Sequence, residues 1–403
     1  MGQICSKDMP SDPQHHLLES PLPSAKILDS SPDHLILSPD TPENIPGNAQ
    51  YALVVTLAPR EQDLHLRIVW PPNREKALDG FDYPHNHNFS QALPEVLFLR
   101  APGENWQRVQ PSEKLADGVA LNIPAHSKPL EFSVGLPYFQ SDFERLQTNL
   151  ENSPWQKSII GHSRQGRPIP AYYRPADTSL PAKGTLALTG YAHYSEWAGL
   201  QMLDALLQTN WQELPGAEQF AWAIVPALNV DALAGGWRED PMYTREDPSL
   251  PGGGNLNRAW NPPCRPESRA AASFLEKTHT ISPLLHLLDI HMGWSRMDHS
   301  GGGLTLFKED EIPPELAAKE QAFTEKFLRE VPIENFPWEH SRREGMNAAS
   351  WAVRTFGVLG QTLEISRFRA FDGNKTPLPV SEDYYRNLGP QAARTLINFH
   401  VNV

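Results

Sequence analysis

Gly184-Thr185-Leu186-Ala187-Leu188-Thr189-Gly190-Tyr191-Ala192-His193-Tyr194-Ser195-Glu196 is the stretch on which the reading of this chain turns. Residues 185–189 form a short apolar run of the kind that makes a buried strand, and the residues after Glu196 read as a helix. A histidine and a glutamate three apart, at the turn where strand hands over to helix, can both point at one metal ion beyond the strand's end. Zinc that performs chemistry takes three protein ligands and keeps one position open, and imidazole with carboxylate is a common part of that set. His-x-x-Glu occurs often by chance, so the weight falls on what accompanies it.

Three more apolar runs follow. Phe220-Ala221-Trp222-Ala223-Ile224-Val225-Pro226 leads to Asn229-Val230-Asp231 and then Arg238. Leu284-Leu285-His286-Leu287-Leu288-Asp289-Ile290 ends at His291, and Val358-Leu359-Gly360-Gln361-Thr362-Leu363 runs into Glu364. A Gly-rich loop, residues 252–260, lies between them. In open α/β sheets, ligands bind in the crevice outside the carboxyl ends of the strands. His193, Glu196, Asn229, His291 and Glu364 all fall at or just past such ends, so one crevice can collect them.

Taken in order, these pieces resemble the M14 family of zinc carboxypeptidases. The matching segments are His193-Tyr194-Ser195-Glu196, Pro226-Ala227-Leu228-Asn229-Val230-Asp231, Arg238, Asn255-Leu256-Asn257-Arg258-Ala259-Trp260, Asp289-Ile290-His291 and Thr362-Leu363-Glu364. Gly161-His162-Ser163-Arg164-Gln165-Gly166-Arg167-Pro168-Ile169 is similar to the segment that introduces the family's catalytic domain. The resemblance covers residues 155–400 or so. It implies an α/β fold on a mixed sheet, with one Zn2+ per chain held by His193, Glu196 and His291.

It further implies that Glu364 is the general base, taking a proton from zinc-bound water and returning it to the leaving amine. Arg238 takes the task of stabilising the charge that develops on the carbonyl oxygen, although Arg245 lies close enough to compete for that role. Asn257 and Arg258 fall where the family grips the substrate's terminal carboxylate, a group that the planar guanidinium fork suits. Asp289, two residues before His291, is either an acceptor that orients the imidazole or a buried structural carboxylate.

Residues 49–147 show short strand-like runs separated by Pro, Asn and Gly turns, the pattern of a small all-β sandwich. It closes on Phe132-Ser133-Val134-Gly135-Leu136-Pro137-Tyr138-Phe139-Gln140-Ser141-Asp142-Phe143, which looks like the exit segment of the β-domain in the cytosolic carboxypeptidase branch. Members of that branch trim C-terminal or branched glutamates, so an acidic last residue is the expected substrate. Residues 351–359 are similar to that branch too, and there Arg354 either faces the acidic side chain or is a surface charge. Two departures stand out. No tyrosine occurs from residue 292 to 383, so the role of the family's mobile tyrosine is either missing or moved, to Tyr194 or to an aromatic such as Trp351. Where the branch has Pro-Gly between its first two ligands, this chain has Tyr194-Ser195.

At 403 residues the chain is long enough for two domains. The expected organisation is a disordered lead at 1–48, rich in Ser, Pro and Asp, the β-sandwich at 49–147, and the catalytic domain at 148–403. A net charge of −13 disfavours nucleic acid and anionic membranes as partners. Two cysteines, Cys5 and Cys264, exclude a disulfide framework and suit a reducing, cytoplasmic compartment. The first residues lack a signal-peptide core, yet Met1-Gly2 with Ser6 matches the N-myristoylation pattern, beside Cys5 for palmitate; coincidence explains so short a match equally well. His85 and His87 fit a polar loop better than a second metal site. Gly252, Gly253 and Gly254 lack the Lys-Ser/Thr of a phosphate loop, and Gly301-Gly302-Gly303 marks another loop. Three rival functions stay open: an amidohydrolase of the same fold acting on small acylated amino acids or cell-wall peptides, a non-catalytic scaffold that recognises C-termini, and a chain whose β-domain docks a protein partner.

Overall fold

The computed structural model describes residues 17–18, 25–39, 53–69, 96–177, 179, 181–240, 255–293, 303–307, 312–333, 337–340, 347–367 and 369–402. Gly2, Cys5, His85, His87, Arg245, Gly252–Gly254, Gly301 and Gly302 lie outside these residues. The chain divides into two compact units, with Gly135 ending the first and Leu136 opening the second.

The first unit is all β. One sheet has the order β1-β4-β10-β6-β7, from Leu17–Leu18 (β1), Leu53–Leu57 (β4), Leu97–Arg100 (β6), Gln107–Arg108 (β7) and Leu130–Val134 (β10). The other has the order β2-β3-β5-β9-β8, from Ala25–Ser31 (β2), His34–Pro39 (β3), Leu64–Val69 (β5), Glu113–Leu115 (β8) and Gly118–Ile123 (β9). Strand periodicity decides what is buried: Leu64, Leu66 and Ile68 of β5 point inward while His65 and Arg67 between them do not.

The expected disordered lead is corrected over residues 25–39. Leu35 and Leu37 of β3 are fully buried, and β3 pairs with β2 on one side and, in parallel, with β5 on the other. The β-rich apolar run Leu35-Ile36-Leu37, whose burial alternates along the strand, outweighs the Ser/Pro/Asp-rich composition around it. The boundary also falls before residue 147, because the helix Gln140–Asn149 (α1) belongs to the second unit.

The second unit is built on an eight-stranded mixed sheet of order β11-β12-β14-β13-β15-β18-β16-β17. Its strands are Gln156–His162 (β11), Pro168–Arg174 (β12), Gly184–Gly190 (β13), Phe220–Val225 (β14), Leu284–Met292 (β15), Gly303–Phe307 (β16), Pro337–His340 (β17) and Leu359–Ile365 (β18). The four central strands β14, β13, β15 and β18 are mutually parallel. Residues of β13 and β14 are buried throughout, as a parallel sheet covered on both faces requires.

The helices that cover it are Trp197–Gln208 (α2), Val230–Gly235 (α3), Pro266–Ile281 (α4), Pro314–Glu330 (α5), Ala348–Phe356 (α6) and Glu382–Val401 (α7). Gly389 lets α7 ride directly on α2, since a Cβ there would stand 2.3 Å from the Met202 carbonyl oxygen. From β13 the chain goes through α2 to β14 on one side, and only later, through α4, to β15 on the other. The strand order therefore reverses between β13 and β15, which is where α/β sheets open a crevice.

Candidate metal centre

The carboxyl ends of β13, β15 and β18 bring the site together. The parallel register sets Gly190 beside Ile290 and His291 beside Glu364. His291 is the next-to-last residue of β15, so backbone pairing alone fixes its place on the crevice edge. His193 and Glu196 arrive differently, on the turn between β13 and α2. Tyr191 and Ser195 adopt positive φ values there, 53° and 69°, and for a non-glycine residue that conformation costs on the order of 1 kcal/mol or more. The turn's own hydrogen bond, from the Glu196 N–H to the His193 carbonyl, is long at 3.4 Å.

Both imidazoles are pinned from behind. Asn255 Oδ1 accepts the Asn257 N–H at 2.8 Å and stands 2.8 Å from His193 Nε2. That oxygen cannot donate, so His193 carries its proton on Nε2 and turns the Nδ1 lone pair forward. His291 Nε2 lies 3.0 Å from Asp289 Oδ2, and Asp289 Oδ1 in turn accepts the Thr189 hydroxyl at 2.6 Å. Its Nδ1 lone pair is therefore forward as well.

What faces these two lone pairs is a carboxylate. His193 Nδ1 is 2.9 Å from Glu196 Oε1, and His291 Nδ1 is 2.9 Å from Glu196 Oε2. All three side chains are buried. With both Nε2 protons already committed, lone pairs would oppose carboxylate oxygens unless positive charge lay between them. The three donor atoms lie within 4.8 Å of one another, the one such group among the described residues. Two imidazole nitrogens and a carboxylate oxygen are the donor set of a catalytic zinc ion bound at about 2.0–2.2 Å, so the residues present fit that metal.

Electrostatics follow the same layout. Burial works to raise the Glu196 carboxyl, but the two imidazoles outweigh it and hold the group below its ordinary range. Burial works to lower His193 and His291, and Glu196 on the first and Asp289 with Glu196 on the second push them up instead. Burial raises Glu364, with the charges of Glu196 and Asp289 adding to it, and its carboxyl is pushed up to about 7 against the pull of both histidines.

The remaining expected residues divide. Arg238 lies on the 3-10 turn Gly236–Glu239, exposed, and its charge reaches the buried Tyr194 of the ligand turn. Asn257 and Arg258 lie on the 3-10 turn Leu256–Arg258, half-buried, and Arg258 Nη1 donates to the Asn257 carbonyl at 3.1 Å. The Asn257 side-chain oxygen is buried with no hydrogen-bond partner.

Arg354 is exposed on the last turn of α6, next to Val353, which packs over Gly360 near the start of β18. Glu364 is four residues further along that strand, about 13 Å at strand rise. Tyr194 and Trp351, the suggested stand-ins for a mobile tyrosine, are both packed inside the fold, Trp351 against Trp260. Asn229 caps α3 by accepting the Ala232 N–H, and so serves the backbone. Cys264 is half-buried, its thiol directed to the Ala259 carbonyl.

Sequence reading missed Thr189, Asn255, Asp240 and Arg367. Asp240 Oδ2 accepts the Tyr194 N–H at 2.8 Å. Arg367, almost fully buried, donates from Nη1 to the Ser195 carbonyl at 3.0 Å. Only Asn255 carried a signal, as the first residue of Asn-Leu-Asn-Arg; Thr189 acts on Asp289, and Asp240 and Arg367 on a turn whose shape no motif encodes.

No family profile matches the chain. Among curated proteins it is 32% identical over 201 residues to the inactive metallocarboxypeptidase ECM14 of Ajellomyces dermatitidis, a match covering 46% of this chain and 33% of that protein. The protein of the same description from Blastomyces gilchristii gives the same figures. The match thus spans about a third of the length of these relatives. Among solved structures, a metallo-carboxypeptidase from Burkholderia cenocepacia superposes with a TM-score of 0.69 at 15% identity, covering 94% of this chain and 96% of that one. A metallo-carboxypeptidase from Pseudomonas aeruginosa, in complex with (2-guanidinoethylmercapto)succinic acid, gives 0.68 at 19% identity over 93% and 96%. The superposition over nearly the whole of both chains shows that this chain has the metallo-carboxypeptidase fold.

Proposed function

We propose that the chain is a zinc-dependent carboxypeptidase, hydrolysing the last amide bond of peptides or proteins with free C-termini. One observation carries this reading: the Nδ1 atoms of His193 and His291 converge on the two oxygens of the Glu196 carboxylate, with Glu364 one strand away from His291. A zinc ion held there supplies a Lewis acid for the scissile carbonyl and a water acidified to near neutrality. Glu364 would act as general base toward the attacking water and return the proton to the leaving amine. A carboxyl poised close to neutral pH is suited to both transfers. Arg238 faces the charge that develops on the carbonyl oxygen, and Asn257 with Arg258 holds the terminal carboxylate.

The substrate class we propose is a C-terminal glutamate or similar acidic residue, by resemblance to the cytosolic branch. Arg354, exposed on the last turn of α6, is the group the resemblance offers for the acidic side chain. A cytoplasmic place of action rests on the cysteine count; among the described residues no helix is long and apolar enough to cross a membrane. A second reading, a non-catalytic binder of C-termini, draws on the curated relatives being named inactive. Intact Glu364 beside three intact ligands speaks for turnover in this chain.

The deciding experiment is hydrolysis by zinc-loaded protein of peptides with free or amidated C-termini, ending in Glu, Phe, Lys or D-Ala. Cleavage of free termini only, abolished in Glu364→Gln, establishes a carboxypeptidase and reveals its preferred last residue. Binding without cleavage shifts the assignment to the non-catalytic reading, and cleavage indifferent to peptide length favours a small-amide hydrolase.

A further inference from the structure

The turn that carries two of the three donors does not hold itself. Ser195 sits in the left-handed region at φ 69°, and the hydrogen bond that would close the turn, Glu196 N–H to His193 carbonyl, is stretched to 3.4 Å. Glu196 heads α2 as its N-cap residue, yet its side chain makes no capping hydrogen bond, being spent on the imidazoles. Two buried charged groups grip the turn from outside it. Asp240 takes the Tyr194 N–H at 2.8 Å. Arg367 gives Nη1 to the Ser195 carbonyl at 3.0 Å and Nη2 to the Ser195 hydroxyl at 3.5 Å.

Arg367 is itself anchored. It follows Glu364 by three residues, where the chain leaves β18, and Tyr385 of α7 donates its hydroxyl to the Ser366 carbonyl at 3.0 Å. Its charge reaches both Tyr194 and Tyr385. A guanidinium that presents two donors in a fixed plane can fix a carbonyl and a hydroxyl of one residue together, which a lysine's point charge cannot.

We propose that Arg367 is a positioning residue for the metal centre. Bound to Ser195, it holds the left-handed turn that aims His193 and Glu196 at one ion, and so it sets how tightly that ion is bound. The inference rests on the metal-centre reading above and assigns Arg367 no contact with substrate or metal.

The test uses the full chain and measures zinc affinity by competition with a chromophoric chelator, with the melting temperature of the zinc-free protein as a separate record of folding. Arg367→Gln should raise the zinc Kd roughly 10- to 100-fold, the range seen when groups that orient metal ligands are removed. Ser195→Gly, which adopts the left-handed turn without strain, should bind zinc as tightly as the parent or more tightly. Combining the two should bring the Kd back to within a few-fold of the parent. Loss of affinity in Arg367→Gln that Ser195→Gly fails to restore overturns the proposal, because a merely structural arginine would not be rescued at that turn. Unchanged zinc affinity in Arg367→Gln overturns it as well. Should Arg367→Gln not fold, the double variant decides: folding with zinc bound supports the proposal, and failure to fold sinks it. Absence of zinc binding by the parent protein would instead remove the metal-centre reading itself.

Discussion

His291 and Glu364 stand on adjacent parallel strands in register with each other, whereas His193 and Glu196 flank a two-residue turn that lies beyond the end of its strand. On the strand side, the backbone ladder sets the spacing and one carboxylate, Asp289, orients the imidazole. On the turn side, side chains perform both tasks: Asn255 orients His193, and Asp240 and Arg367 hold the peptide between the ligands. Position comes from the ladder in one case and from buried polar contacts in the other. Substitutions should therefore damage the two sides in different ways.

The largest effect is expected where the two sides meet in chemistry. Glu364→Gln should lower kcat by about 10²–10⁴-fold with one zinc still bound per chain, since Glu364 is not among the three donors; metal analysis alongside steady-state kinetics checks both halves. If metal is lost together with activity, the strand side is holding the ion through Glu364 and the comparison breaks. Asp289→Asn comes next. It takes the negative charge from behind His291 and should weaken zinc binding roughly 10- to 100-fold while leaving the strand register intact, as amide exchange along β15 would show.

Thr189→Val removes the 2.6 Å hydrogen bond to Asp289. It should cost about 1.5–3 kcal/mol of stability, as for a hydrogen bond to a charged group, read as a shifted denaturant midpoint at unchanged slope. The smallest change is a gain. Asn255→Asp would give His193 the carboxylate partner that His291 already has, and should tighten zinc by less than about tenfold by making the imidazole more basic. Tightening would show that the two histidines are unequal because their partners are; no change would place the inequality in the turn.

Much of the strand side was legible in the sequence. The runs ending at His291 and Glu364 are apolar and β-rich, and once a parallel sheet is inferred their last residues must share its carboxyl edge. The turn side was legible only as far as its ligands. Nothing in Tyr194-Ser195 announces a positive φ at serine, and nothing in Glu-Ile-Ser-Arg announces that Arg367 turns back to the far side of the crevice. Such contacts join residues distant in sequence, Ser195 with Arg367 and Tyr194 with Asp240, and no local periodicity encodes them.

Arg354 is exposed on the last turn of α6, whose residues Ala349 and Val353 pack over Gly360 near the start of β18. The hairpin at residues 25–39 was legible and overlooked: Leu35-Ile36-Leu37 is a β-rich apolar run, and Ser31-Pro32-Asp33 is turn chemistry.

The pairing of His291 with Glu364 across two strands carries an evolutionary consequence. The acid-base group and the ion's three ligands occupy separate positions on a framework that neither one builds. If the chain works as proposed, a lineage could surrender turnover by a single exchange at Glu364 and keep a preformed receptor for the ends of chains. In the other direction, on the function proposed above, a lineage that had lost that carboxylate while keeping the ligands and the contacts that aim them would have one position to restore.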